Sequence, residues 1–251
     1  MFALGAGHRI VAVTDFCDYP AEVSTLPKVG GYINPALETM TMLQPELILL
    51  PGQHPRVAEY AREAKISVLN VHMDSLETIE AGIRTIGARL DCRDEAASLW
   101  EQISTELKAV RESVSGRPRP KVLVINTRSS HDLNSLFTVG ALSFLSELTD
   151  IAGGDNLFRD DKTDYFEASK ESVVLREPDV IIEFHAGENL SAEESSRFIA
   201  DWSVLTTVPA VRHGRIYLFH ESYGLRPGPR IGQTARDLAG MLHPDVGVAA
   251  P

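Results

Sequence analysis

Glu38-Thr39-Met40-Thr41-Met42-Leu43-Gln44-Pro45-Glu46-Leu47-Ile48-Leu49-Leu50 reads as a short helix, a proline stop and an apolar strand. The chain repeats the pattern downstream as Glu171-Ser172-Val173-Val174-Leu175-Arg176-Glu177-Pro178-Asp179-Val180-Ile181-Ile182. In each copy the proline falls seven positions after the glutamate. Proline cannot continue a helix, and it biases the residue before it toward extended backbone. One plan used twice predicts two lobes, each with a carboxylate at an equivalent surface position.

Working outward, the first half alternates strands and helices. Ile10-Val11-Ala12-Val13 reads as a strand. Val29-Gly30-Gly31-Tyr32 is a glycine loop, and Asn34 is a helix N-cap with Pro35 at the first helical position. A helix over 55–64, a strand over 66–71 and a helix over 75–90 follow. From Asp94 to Ser113 runs a long charged amphipathic segment with Ala97, Trp100, Ile103, Leu107 and Val110 on its apolar side. Gly116-Arg117-Pro118-Arg119-Pro120 stops it, and a second series opens at Lys121. We expect a lobe over 1–90, a connecting helix over 91–116 and a lobe over 117–251. The alternation predicts mainly parallel sheets, with ligand near the carboxyl ends of the strands. The tail after His243 is expected to be loose.

Composition narrows the classes. The chain has 251 residues, 43% hydrophobic and 24% charged, enough for two α/β lobes and too apolar for disorder. No apolar run reaches a membrane span. A net charge of −11 without a basic stripe argues against nucleic acid. Cys17 and Cys92 form neither a CxxC nor a metal spacing; two free half-buried thiols are expected, with a bridge left open. Residues 2–7 are too short and lack the basic start of a signal peptide.

The residues now resemble a known family, the substrate-binding proteins of ABC importers for vitamin B12, ferric siderophores and haem. The stretches that carry the likeness are Val13 to Pro20, Val29 to Tyr32, Leu37 to Ile48, Gly153-Gly154-Asp155-Asn156-Leu157-Phe158, Ser169 to Asp179, and Pro229-Arg230-Ile231. The resemblance implies an α/β fold of two Rossmann-like lobes joined by a long rigid helix, with a ligand cleft between the lobes. It also implies a binding role, not an enzymatic one, at a periplasmic or membrane-anchored extracellular location. Family members carry a strand and most of a helix before the segment matching Ala3-Leu4-Gly5-Ala6-Gly7. Either residues precede Met1 or a second chain completes the first lobe as an oligomer.

The resemblance assigns Glu38 and Glu171 to docking on the permease, where charges fix orientation and association rate. The alternative is that each only complements its helix dipole. Phe16, Tyr32 and Tyr165 match positions that pack on large planar or hydrophobic ligands, although such rings also close local cores. Tyr19 is expected in the core. His54, His72, His131, His185, His213 and His220 sit near strand ends or in loops without HxH or HxxxH spacing, so no dedicated metal site is expected. His220 and Tyr223 share a loop and stand out as ligand contacts. Arg128, Arg226 and Arg230 are the basic candidates for an anionic ligand, and of these Arg230 at a helix start is expected to be structural. Few arginines occupy the first lobe's loops, which favours a corrinoid slightly over an anionic siderophore or haem. The expected ligand is thus a cobalt or iron chelate, with no resident cofactor.

Two other classes compete. A two-lobed enzyme such as a tetrapyrrole metal chelatase would need a catalytic motif, and there is no GxGxxG, P-loop or GxSxG. A ligand sensor without a transporter would keep the binding fold, and permease binding abolished by charge reversal at Glu38 and Glu171 would separate the importer from it.

Overall fold

The structure, a computed structural model, describes residues 1–129 and 132–245. His131 and the tail from Val246 onward lie outside the described residues. The chain divides into two compact units: Met1–Met73 with Glu77–Trp100, and Asp74–Leu76 with the chain from Glu101 onward.

The first unit contains α1 (Leu37–Leu43), β1 (Leu47–Pro51), α2 (Pro55–Ala64), β2 (Ser67–Val71), α3 (Leu76–Arg89) and the start of α4 (Arg93–Ser113). Strands β1 and β2 pair in parallel, Leu47 against Ser67 through Pro51 against Val71, with α2 as the crossover. Pro55 opens α2, and His54 caps it by accepting from the Val57 N–H. Val57 and Ala61 then pack on Ile48 and Leu50 of β1.

Two expectations here are corrected. Ile10 to Val13 forms no strand; only Val13 bridges to Lys28. Val13 donates to the Pro27 carbonyl and accepts from the Val29 N–H, but Pro27 has no N–H to carry the parallel ladder back to Val11. Nor is Asn34 a cap. The Ala36 N–H donates to Val29 and Pro35 bridges to Gly30, holding both residues off the helix until Leu37.

The second unit contains β3 (Lys121–Arg128), β4 (Leu136–Val139), α5 (Phe144–Ile151), β5 (Asp155–Asn156), β6 (Tyr165–Ala168) and α6 (Lys170–Arg176). It continues with β7 (Val180–Phe184), α7 (Ala192–Asp201), α8 (Pro209–Arg212), β8 (Ile216–Phe219) and α9 (Ile231–Leu242). The sheet runs β6-β4-β3-β7-β8, and β5 also pairs with β3. The strands pair mainly in parallel, as expected: β1 with β2, β3 with β5 and β7, and β7 with β8. Strands β3, β7 and β8 are parallel, but β4 is antiparallel to both β3 and β6. Only residues 129–135 separate β3 from β4, too few for a helical crossover. All five residues of β7 are buried, as expected for a strand covered on both faces.

The repeat holds residue for residue. A constant shift of 133 positions carries α1 onto α6 (37 to 170, 43 to 176) and β1 onto β7 (47 to 180, 51 to 184). Both helices end on a non-glycine residue in the left-handed region, Gln44 at φ 46° and Glu177 at φ 53°. Each of these N–H groups closes the last turn, onto Met40 O and Val173 O respectively.

Helix α4 spans 21 residues, about 31 Å at 1.5 Å per residue. The division between units falls inside it, after Trp100. Its buried face carries Ala96, Ile103, Leu107 and Val110, while Ala97 is exposed. Ala96 sits against Gly87 of α3, where a Cβ would lie 2.5 Å from the alanine's own.

Candidate functional site

Glu38 and Glu171 are both exposed, each the second residue of its helix. Ser169 caps α6 by accepting from the Ser172 N–H at 3.2 Å. The Glu171 carboxyl is held below the usual carboxylate range, first by its own backbone N–H and then by the Ser169 hydroxyl. It is therefore an anion at neutral pH. Helix α1 has no side-chain cap.

In the first unit, Phe16 and Tyr32 come together beside the glycine loop. The Phe16 ring edge lies 3.3 Å from where a Cβ on Gly31 would stand. The Tyr32 hydroxyl donates to the carbonyls of Pro51 (3.4 Å) and Gln53 (3.2 Å), at the carboxyl end of β1. Its ring meets His54 edge-on at 5.0 Å, and His54 Nε2 lies 2.6 Å from the Tyr32 carbonyl. Because His54 Nδ1 accepts from Val57, the ring proton is on Nε2 and donates to Tyr32. Phe16 is nonetheless 71% exposed and Tyr32 43%, so anchored aromatic faces are presented to solvent. Tyr19, expected in the core, is 59% exposed.

The second unit does not gather its predicted ligand contacts in one place. Tyr165 opens β6 opposite Val139, on the face that carries Phe137. His220 follows β8, and His185 follows the neighbouring β7 at the same level, because Phe184 pairs with Phe219. The two imidazoles are 6.2 Å apart, His220 exposed and His185 buried. The Tyr223 hydroxyl donates to Asp237 at 2.6 Å. Partial burial first, and then Asp237, push that phenol well above its usual range. Arg230 covers the Tyr223 ring at 5.2 Å, which ties this loop to the start of α9.

Arg128, expected to face a ligand, has a different place. Its side chain is 1% exposed. Its Nε donates to Glu183 at 2.9 Å, and its other nitrogens to Asp201 (2.8 Å), the Phe198 carbonyl (2.9 Å) and two further carbonyls. Trp202 Nε1 also donates to Glu183, and Phe198 lies under the guanidinium. Each of its three nitrogens has an acceptor, which holds Arg128 in this cluster. A cavity of about 230 Å³ adjoins this cluster, lined by Thr127, Arg128, Glu183, His185, Glu188 and Phe198 among others. His185 bridges Glu183 (3.3 Å) and Glu188 (2.9 Å). Burial opposes its charge, but the two carboxylates outweigh burial and raise its pKa above the ordinary imidazole value.

Sequence reasoning missed Glu183. The signal was a single acid inside the apolar run Val180-Ile181-Ile182-Glu183-Phe184. In the repeat it falls where β1 has Leu50, so one lobe buries a leucine and the other a charge needing Arg128. Among the described residues no three His, Cys, Asp or Glu side chains could hold a metal ion. No helix there is long and apolar enough to cross a membrane. Cys17 and Cys92 are both free thiols, half-buried; Cys17 lies by the Thr14 hydroxyl and Cys92 by the Leu90 carbonyl.

Residues 1–223 match the periplasmic binding protein family. The chain is 26% identical over 251 residues to YvrC of Bacillus subtilis, an uncharacterised ABC transporter substrate-binding lipoprotein, covering 97% of this chain and 76% of that protein. It is 25% identical over 243 residues to the vitamin B12-binding protein of Salmonella paratyphi A, covering 96% of this chain and 85% of that one. The periplasmic haem-binding protein HutB of Vibrio cholerae superposes with a TM-score of 0.83 at 20% identity, over 97% of this chain and 94% of its own. That last likeness speaks to the fold.

Proposed function

The chain belongs to the periplasmic binding protein family, and on that premise we propose that it captures a cobalt- or iron-bearing chelate and delivers it to an ABC permease. It is a transport component, not an enzyme, like the relatives it matches. The observation that carries the ligand class is the exposure of Tyr32, pinned to the carboxyl end of β1, together with an exposed Phe16 whose ring lies against Gly31 of the same glycine loop. Rings held this way offer broad, low-entropy contact area to a large planar or hydrophobic molecule. Tyr165 supplies a further aromatic face in the second unit. A corrinoid is favoured among the chelates by the similarity to a vitamin B12-binding protein and by the pairing of Arg128 with the protein's own Glu183 and Asp201 carboxylates. In this reading the metal arrives inside its chelate.

Glu38 and Glu171 dock on the permease in this reading. Support comes from their exposure and from their identical register in the two copies of the repeat. A place on the outer face of the cytoplasmic membrane agrees with the lipoprotein relative.

A thermal-shift panel of cyanocobalamin, cobinamide, haemin and ferric siderophores tests the ligand class. A true ligand at a hundred times its dissociation constant stabilises the protein by about 2.7 kcal/mol. Tyr32→Ala should erase that shift for the same compound. No shift from any chelate overturns the proposal.

A further inference from the structure

Among the large apolar side chains of the described residues, Met42 and Leu175 are each 84% exposed. A single exposed methionine or leucine needs no explanation. These two occupy one position, because the shift of 133 that relates α1 to α6 carries residue 42 to 175. Each stands four residues after its glutamate, and so on the same helix face one turn along. Two other positions have diverged, Leu37 to Lys170 and Leu43 to Arg176, while Thr39 and Ser172 both keep a hydroxyl. The apolar pair Met40 and Val173 persists because both are buried. Packing gives no such reason for Met42 and Leu175. What the two helices keep on their exposed face is one carboxylate and one long aliphatic side chain.

We propose that Glu38 with Met42, and Glu171 with Leu175, form two equivalent two-part patches that seat the permease. The inference rests on the docking reading above and deepens it. The partner surface then carries, twice, a basic group beside an apolar depression, matching the charge and the aliphatic tip of each patch. The parts divide the work. The carboxylates speed and orient the encounter, in a salt-dependent way, while the aliphatic tips are buried on contact and slow dissociation.

The test measures binding to the permease in lipid nanodiscs by biolayer interferometry at several salt concentrations. Met42→Ser and Leu175→Ser should each raise the dissociation rate about tenfold, leaving the association rate and its salt slope unchanged. Glu38→Lys and Glu171→Lys should instead lower the association rate and flatten the salt slope. Unfolding midpoints of the serine variants should match wild type, since both side chains are in solvent. If the lysine variants fail while the serine variants bind like wild type, the aliphatic half is overturned and the docking reading stands. If wild type does not bind the permease, both fall. Sedimentation equilibrium covers the remaining occupant: a wild-type dimer that Met42→Ser and Leu175→Ser dissociate would assign the patches to a second copy and overturn the proposal.

Discussion

Arg128 and Glu183 form an ion pair at 2.9 Å with both side chains 1% exposed. Glu183 replaces, in the second unit, the leucine found at residue 50 of the first. Removing one partner of a buried pair leaves an uncompensated charge, at a cost of about 3–5 kcal/mol. Arg128→Met should therefore destabilise the protein by about that amount in urea unfolding. Arg128→Met with Glu183→Leu, which places at 183 the leucine of the first unit, should recover part of the loss, the remainder reflecting Trp202 Nε1 and Asp201 left without their partners.

The helix ends make a second prediction. Gln44 and Glu177 hold left-handed backbone, a conformation that suits glycine better than a residue with a Cβ. Gln44→Gly and Glu177→Gly should each stabilise by about 0.5–1 kcal/mol, net of the added freedom of the unfolded chain. A loss of stability in urea titrations would contradict the cap assignment.

Two histidines should leave opposite marks on stability against pH. His185 has a raised folded pKa, so its contribution is fully present below the unfolded value near 6.5 and is lost as pH rises through the folded value. Its neighbours are Glu183 and Glu188, with Arg128 and His220 nearby. His243 is buried with Nε2 unpartnered, and burial depresses its pKa. Its neutral form is the folded one, so it destabilises as pH falls below about 6.5. Melting profiles from pH 5 to 8.5 should show His185→Gln losing most at the acid end and His243→Gln gaining there.

The repeat was the most legible part of the sequence, because helix, proline and strand are all local signals. The helix over 55–64 and the strand over 180–184 were likewise readable from periodicity and breakers. Long-range pairing was not. Nothing in Ile10 to Val13 reveals that Pro27 would interrupt its ladder, and nothing in β4 alone announces its antiparallel partners. At the site, local order fixed where Glu38, Glu171 and Tyr32 stand. The partners of Arg128 lie 55 and 73 residues away, out of reach of any spacing argument. Tyr223 likewise meets its acid across a loop and a helix.

The most direct test of the importer assignment is ATP-driven uptake of the chelate picked out by thermal shift, in proteoliposomes carrying the permease and its ATPase. The account predicts uptake that depends on adding this protein and that drops at least tenfold with Glu38→Lys plus Glu171→Lys, while chelate binding in solution is unchanged. Uptake equally fast without the protein, or unaltered by reversing both charges, would contradict it.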